Sequence, residues 1–132
     1  MSAKEYVYAY INKETKEPDY IGRAKNADRL AQRLREHASD KWYHPGDYEI
    51  RFTIAKNRAC SEALETEAIV LTQPKYNKDK KDWGTTGGFD DEIVDPTTWL
   101  IIPEVALCSY QGIAHGLKEI EKEFEQYLKK QI

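Results

Sequence analysis

Glu5-Tyr-Val-Tyr-Ala-Tyr-Ile-Asn12 alternates Tyr6, Tyr8 and Tyr10 with Val7, Ala9 and Ile11. Side chains leave a strand on alternate faces, so this stretch predicts a strand with aromatics on one side and aliphatics on the other. Lys13 to Pro18 is polar and ends in proline, the composition of a hairpin turn. Asp19-Tyr-Ile-Gly22 then reads as a short return strand, ending at a glycine that permits a sharp backbone change. Tyr48-Glu-Ile-Arg-Phe-Thr-Ile-Ala55 repeats the alternation, with Tyr48, Ile50, Phe52 and Ile54 on one side.

Helical patterns fill the gaps. Asn26 is a good N-cap, and Ala27 to Ala38 contains neither Gly nor Pro. Ala27, Leu30, Ala31 and Leu34 recur at helical spacing, while Arg29, Arg33 and His37 make a second stripe. Lys41 to Asp47 reads as a loop. Ser61 is expected to cap a second helix with Glu62 and Glu65 in its first turn, running to about Thr72 before Pro74. Farther on, Lys78 to Glu92 predicts a charged, Gly-rich loop and Thr97 to Ile102 a short strand. Gly116 to Lys130 predicts an amphipathic helix with Leu117, Ile120, Phe124, Tyr127 and Leu128 on one stripe. The order gives an α+β chain. Residues 1–77 form a core, an antiparallel three-stranded sheet flanked by helices, and residues 78–132 form an extension packed on it.

Composition narrows the classes. At 132 residues, 40% hydrophobic and 11% aromatic, the chain fits one folded domain and not a disordered tail. Nothing approaches the ~18–20 apolar residues of a membrane span, and Met1 to Glu5 lacks a secretory pattern, so a cytoplasmic or otherwise intracellular setting is expected. Cys60 and Cys108 are too few for a zinc site or disulfide framework and are expected reduced. Net charge is −3, but residues 1–60 carry 12 Lys/Arg against 9 Asp/Glu, and residues 61–132 carry 8 against 14. The net charge argues against a general polyanion binder, while the distribution permits a local phosphate-binding face in the first half, with a solvated imbalance that meets no partner as the plainer alternative.

The chemistry-bearing residues gather in that half. Tyr8 and Tyr20 lie on adjacent hairpin strands, Arg33 and His37 one turn apart on the first helix, and Glu65 on the second. Phosphodiester hydrolysis needs a group to deprotonate water, a cation to balance charge on the phosphate oxygens, and a hard metal at the leaving oxygen. A single carboxylate completed by waters suits Mg²⁺. Each residue also has a plainer use, as strand packing, solvated stripe or helix-dipole partner.

Taken in order, Tyr6-Val-Tyr8, Tyr20-Ile-Gly22, Arg33-Leu-Arg-Glu-His37, Glu65 and Pro74-Lys-Tyr-Asn77 resemble the GIY-YIG endonuclease family over roughly residues 5–77. The resemblance implies a divalent-metal-dependent endonuclease acting on DNA, with RNA as a further candidate substrate. It implies Tyr8 at the attacking water, as general base or that base's partner, and Tyr20 orienting water or phosphate. Arg33 would hold the scissile phosphate, His37 would bind phosphate or move a proton, and Glu65 would hold one Mg²⁺ or Mn²⁺. Arg23, Lys25 and Arg29 would lie on the substrate side, with Asn77 as a hydrogen-bonding support. Three departures stand out: the first tripeptide lacks its glycine, the gap from Gly22 to Arg33 is about one helical turn long, and Glu62 and Glu67 flank Glu65. The second brings Arg29 into play as phosphate ligand. The third makes Glu62, on the face of Glu65, a substitute metal ligand.

A second reading is a catalytically inactive module of the same shape that binds nucleic acid or protein. His44 and His115 fit no cluster and are expected at the surface, whereas Trp42, Tyr43 and Trp83 are expected to pack on the core or stack on unpaired bases. The apolar stripe of the last helix must be covered, by the chain's own sheet or by a second copy in a homodimer. Its acidic face (Glu119, Glu121, Glu123, Glu125) makes it unfit to lie along phosphates.

Overall fold

Both faces of β1 (Glu5–Asn12) are covered, and this determines the architecture. The strand lies inside an antiparallel sheet, between β2 (Pro18–Ala24) and β3 (Tyr48–Ala55). On one face Tyr6, Tyr8 and Tyr10 join Ile50, Phe52 and Ile54 of β3. They pack under Leu30, Ala31 and Leu34 of helix α1 (Ala27–His37). On the other face Val7, Ala9 and Ile11 meet Leu64, Ala68 and Ile69 of helix α2 (Arg58–Thr72). The aromatic–aliphatic alternation therefore sorts two different helices to the two faces. The computed structural model describes residues 4–84, 89, 91–102 and 110–129.

The sheet has four strands in the order β2-β1-β3-β4, not the three expected. The fourth, β4, pairs Ile101 with Arg51 and Leu100 with Phe52. It is shorter than the apolar run from Thr97 to Ile102 suggested, because Pro96 opens a 3-10 turn through Thr98 that removes those residues from extended geometry. Arg51 ties the turn down, donating from Nη1 to the carbonyls of Thr97 (2.7 Å) and Trp99 (2.9 Å).

Helix α1 starts at its expected cap, the Asn26 side chain accepting from the Arg29 amide at 2.8 Å. Helix α2 starts a turn earlier than expected. Asn57 is its cap, accepting from the Cys60 amide at 2.9 Å, and its first turn holds no acid. Ser61 is instead fully buried, donating to Glu5 Oε1 at 2.6 Å. Two cap-type residues stand four apart, and the buried partner of the second decides between them. Gln73, left-handed at φ 51, ends α2 before Pro74.

Past residue 77 the chain adds to the same core. Part of the expected 78–92 loop is helical, as the short α3 (Asp91–Val94), and residues 85–88 and 90 lie outside the described residues, as does Cys108. The last helix, α4 (Tyr110–Lys129), begins before Gly116. Its Ile113, Ala114 and Leu117 are buried with Tyr6 and the apolar face of α1, and Ile120 packs against them. The Tyr6 hydroxyl donates to Glu121 Oε2 at 2.6 Å, and Lys118 pairs with Asp28 at 3.2 Å. The described part of the stripe is thus covered within the chain. The side chains of Phe124, Tyr127 and Leu128 fall outside the described residues. Among the described residues no helix is long and apolar enough to cross a membrane.

Candidate active site

Register builds the first half of the site. Tyr8 stands opposite Gly22 and Tyr10 opposite Tyr20, so the two strands present Tyr8, Tyr10 and Tyr20 on one face. The Tyr8 ring crosses the Gly22 backbone. A Cβ there would meet Tyr8 Cζ and Oη at 2.5 Å, so the close approach requires glycine. Tyr8 is completely buried, whereas Tyr20 is only partly so.

His37, the last residue of α1, reaches this pair. Its Nε2 lies 2.8 Å from Tyr8 Oη, and its ring meets the Tyr20 ring edge-on at 4.6 Å. Its Nδ1 lies 2.7 Å from Asp40 Oδ2. A carboxylate only accepts, so Nδ1 carries the hydrogen and a neutral ring leaves Nε2 to accept from the Tyr8 hydroxyl. Trp42 stacks between Tyr20 (5.5 Å) and Tyr76 (5.3 Å) and closes the cluster. Trp42 and Tyr43 therefore pack back on the core, leaving Trp83 as the exposed ring of the three. His44 and His115 are exposed.

The tyrosines are held protonated. Burial, first of all, raises Tyr8 far above the ordinary phenol value, Tyr20 and Tyr10 add to the rise, and the positive charge of Arg33 opposes it. Burial also raises Tyr20, with Arg33 pulling down and Glu65 pushing up. Arg33 thus acts on both phenols from the exposed side of α1, while Arg29, one turn earlier, gives its Nη1 to Gln32 Oε1 at 2.9 Å. Lys25 is exposed beside them.

Glu65 comes from α2, on the opposite face of the sheet, and reaches Tyr20 only through its charge. Its Oε1 takes Lys80 Nζ at 2.5 Å and lies 3.9 Å from Arg23 Nε. Lys80 holds a left-handed backbone at φ 70, a strained setting for a residue with a Cβ, and its ammonium also lies over the Trp83 ring. Arg23 is enclosed by carboxylates, its Nη1 3.2 Å from Glu5 and 3.4 Å from Glu62. Glu62 is occupied by Arg58 as well, at 2.9 Å, and Glu67 is buried. A groove of about 500 Å³ opens here, lined by Arg23, Ala63, Thr66, Lys80 and Trp83.

Asn77 supports the site without entering it. Its Oδ1 accepts from the Ile21 amide and its Nδ2 donates to the Ile21 carbonyl, both at 2.8 Å. The Tyr76 amide donates to the Asp19 carbonyl at 2.8 Å, so residues 76 and 77 cover the outer edge of β2.

Among the described residues no three His, Cys, Asp or Glu side chains converge as a metal cage. Glu65 alone suits an ion that keeps most of its waters, and the Lys80 ammonium marks Oε1 as a position that draws a cation. Of the residues the sequence named, Tyr8, Tyr20 and His37 are in contact, whereas Arg33 and Glu65 act on the phenols through their charges and Glu65 stands on the opposite face of the sheet. The sequence did not name Asp40, Trp42, Tyr76 or Lys80 as members of the set; the only trace of Asp40 is an acid three residues after His37. Compared with known proteins, the chain matches no family model, no curated protein and no solved structure.

Proposed function

We propose that this chain is a divalent-metal-dependent endonuclease that hydrolyses phosphodiester bonds in DNA through a GIY-YIG-like centre. The observation that carries the reading is the Tyr8–His37 hydrogen bond of 2.8 Å, formed beside Tyr20 and within the field of Arg33 and Glu65. Tyr8, Tyr20 and His37 are in mutual contact, and the charges of Arg33 and Glu65 reach the phenols from α1 and α2, a set whose chemistry supports the reading.

A buried phenol is a poor free base because burial disfavours its anion. Paired with His37 it needs no free anion: a water at the tyrosine pair gives up its proton as the Tyr8 proton moves to Nε2. Arg33, exposed and uncommitted to any carboxylate among the ion pairs described, is available to a phosphate oxygen. Glu65 would hold Mg²⁺ or Mn²⁺, which when bound supplies charge stabilisation at the leaving oxygen. Arg23 positions Glu65 rather than substrate, and Asn77 fixes β2 beneath Tyr20.

The test is cleavage of supercoiled plasmid with Mg²⁺ and its loss with chelator. The binding-module reading is favoured by one observation, the Lys80 ammonium already seated on Glu65. DNA retained in a shift assay without any cleavage at saturating Mg²⁺ or Mn²⁺ would decide for it.

A further inference from the structure

The acid three residues beyond His37 lies outside every motif that pointed to the site, yet it touches the ring nitrogen of the histidine opposite the one that faces Tyr8. Asp40 Oδ2 is 2.7 Å from His37 Nδ1. The turn that brings it there is closed by two backbone bonds, the Asp40 amide to the His37 carbonyl at 2.9 Å and the Tyr43 amide to the Asp40 carbonyl at 3.1 Å. The His37 side chain is only 12% exposed, walled by the rings of Tyr8, Tyr10, Tyr20 and Trp42. Its rotation is limited and its two nitrogens have fixed, different partners.

We infer that Asp40 is a positioning residue, one that fixes His37 as the Nδ1–H tautomer so that Nε2 is free to take the Tyr8 proton. The inference rests on the nuclease reading for its purpose and on the bond pattern for its existence. Without the carboxylate, the tautomer that donates from Nε2 becomes accessible. That form faces the Tyr8 hydroxyl with a hydrogen and cannot accept its proton. In the proposed reaction the water oxygen bonds to phosphorus and its proton passes to the tyrosine pair. The Tyr8 proton goes to Nε2, making an imidazolium whose Nδ1–H stays on Asp40. The bond from phosphorus to the leaving oxygen breaks with its electron pair on that oxygen, which takes a proton from solvent water, and the hydroxide so formed takes the Nε2 proton and restores neutral His37. Asp40 keeps its charge throughout and balances the imidazolium.

The experiment combines ¹⁵N-detected NMR of the His37 ring with cleavage rates for Asp40→Ala and Asp40→Asn, thermal melts serving as the fold control. In the unaltered protein His37 should show the Nδ1–H signature. Asp40→Ala should shift it toward the other tautomer and lower the rate by roughly 10–100-fold or more, 10–100-fold being typical when the outer partner of a metal-binding histidine is lost and about 10⁴ when that of a proton-transferring triad histidine is. Asp40→Asn, whose carbonyl still accepts, should keep the Nδ1–H signature and recover part of the rate. An unchanged tautomer in Asp40→Ala overturns the inference, as does Asp40→Asn behaving like Asp40→Ala while its melt is normal. If the unaltered protein cuts nothing, the nuclease reading fails alone, and the tautomer shift still decides the role of Asp40.

Discussion

The ring of Tyr8 lies against Gly22, at a separation that leaves no room for a side chain. The glycine of the second tripeptide is thereby explained by its neighbour on β1. Gly22→Ala should push the ring away from His37, costing about 1–3 kcal/mol as overpacking does. Urea unfolding reads the stability, and the loss of the Tyr8–His37 bond should appear as reduced cleavage. Wild-type values for both would show that the ring can move aside freely.

Glu65 is expected to be the sole carboxylate on the metal. Glu65→Ala should abolish cleavage while leaving the far-ultraviolet spectrum and DNA retention intact; activity surviving in that variant would transfer suspicion to Glu62. Because Lys80 and a divalent ion would share Oε1, Lys80→Met should tighten Mn²⁺ binding measured by calorimetry. Weaker binding would mean that the lysine assists the ion instead of competing with it.

Arg33 and Arg29 can be separated by rate. Arg33→Ala should lose about 10²–10³ in rate, as expected for a donor that works on the transition state. Arg29→Ala should only weaken DNA binding, in a salt-dependent way. The reverse pattern would move the phosphate ligand one turn toward the start of α1.

Alkali should unfold this protein early. Burial, above all, raises the phenols of Tyr6, Tyr8, Tyr10, Tyr20 and Tyr48. Above the ordinary tyrosine value of about 10 the unfolded chain releases protons that the folded chain keeps, so stability is full below that pH and falls as pH rises through it. Tyr10→Phe removes one such group while keeping the ring, and chemical denaturation at pH 9–12 should show a shallower decline.

Leu117 anchors α4 to the aromatic face of the sheet. Leu117→Ala should cost about 2–5 kcal/mol. Truncation after Gly116 should lower the melting temperature without altering which DNA is cut. A truncated chain of undiminished stability and altered substrate choice would make α4 a recognition element.

The strands and α1 were legible because period-two alternation and the Asn26 cap are local signals. The start of α2 was not, because Asn57 and Ser61 look alike until Glu5, far away in sequence, takes the second. Thr97 to Ile102 carried strand composition that Pro96 overrode. Of the residues that the resemblance named, Tyr8, Tyr20 and His37 are in contact, but their supports were invisible in the sequence. Asp40 acts only because a tight turn folds it back on His37, and Lys80 only because its backbone is left-handed. Neither geometry has a signature in a charged, polar stretch.

Asn77 gives the site a place in time as well as in space. Its amide takes both outward-facing backbone groups of Ile21, and Tyr76 stacks on Trp42 from the same segment. A chain made from its N-terminus acquires Tyr8, Tyr20 and His37 well before these partners, and Lys80 later still. During synthesis the outer edge of β2 stays open and Tyr20 lacks the last ring of its stack, so the centre is assembled only once the segment after α2 has left the ribosome. Asn77 thus closes the edge of β2 from a position later in the chain than Tyr8, Tyr20, His37 and Glu65.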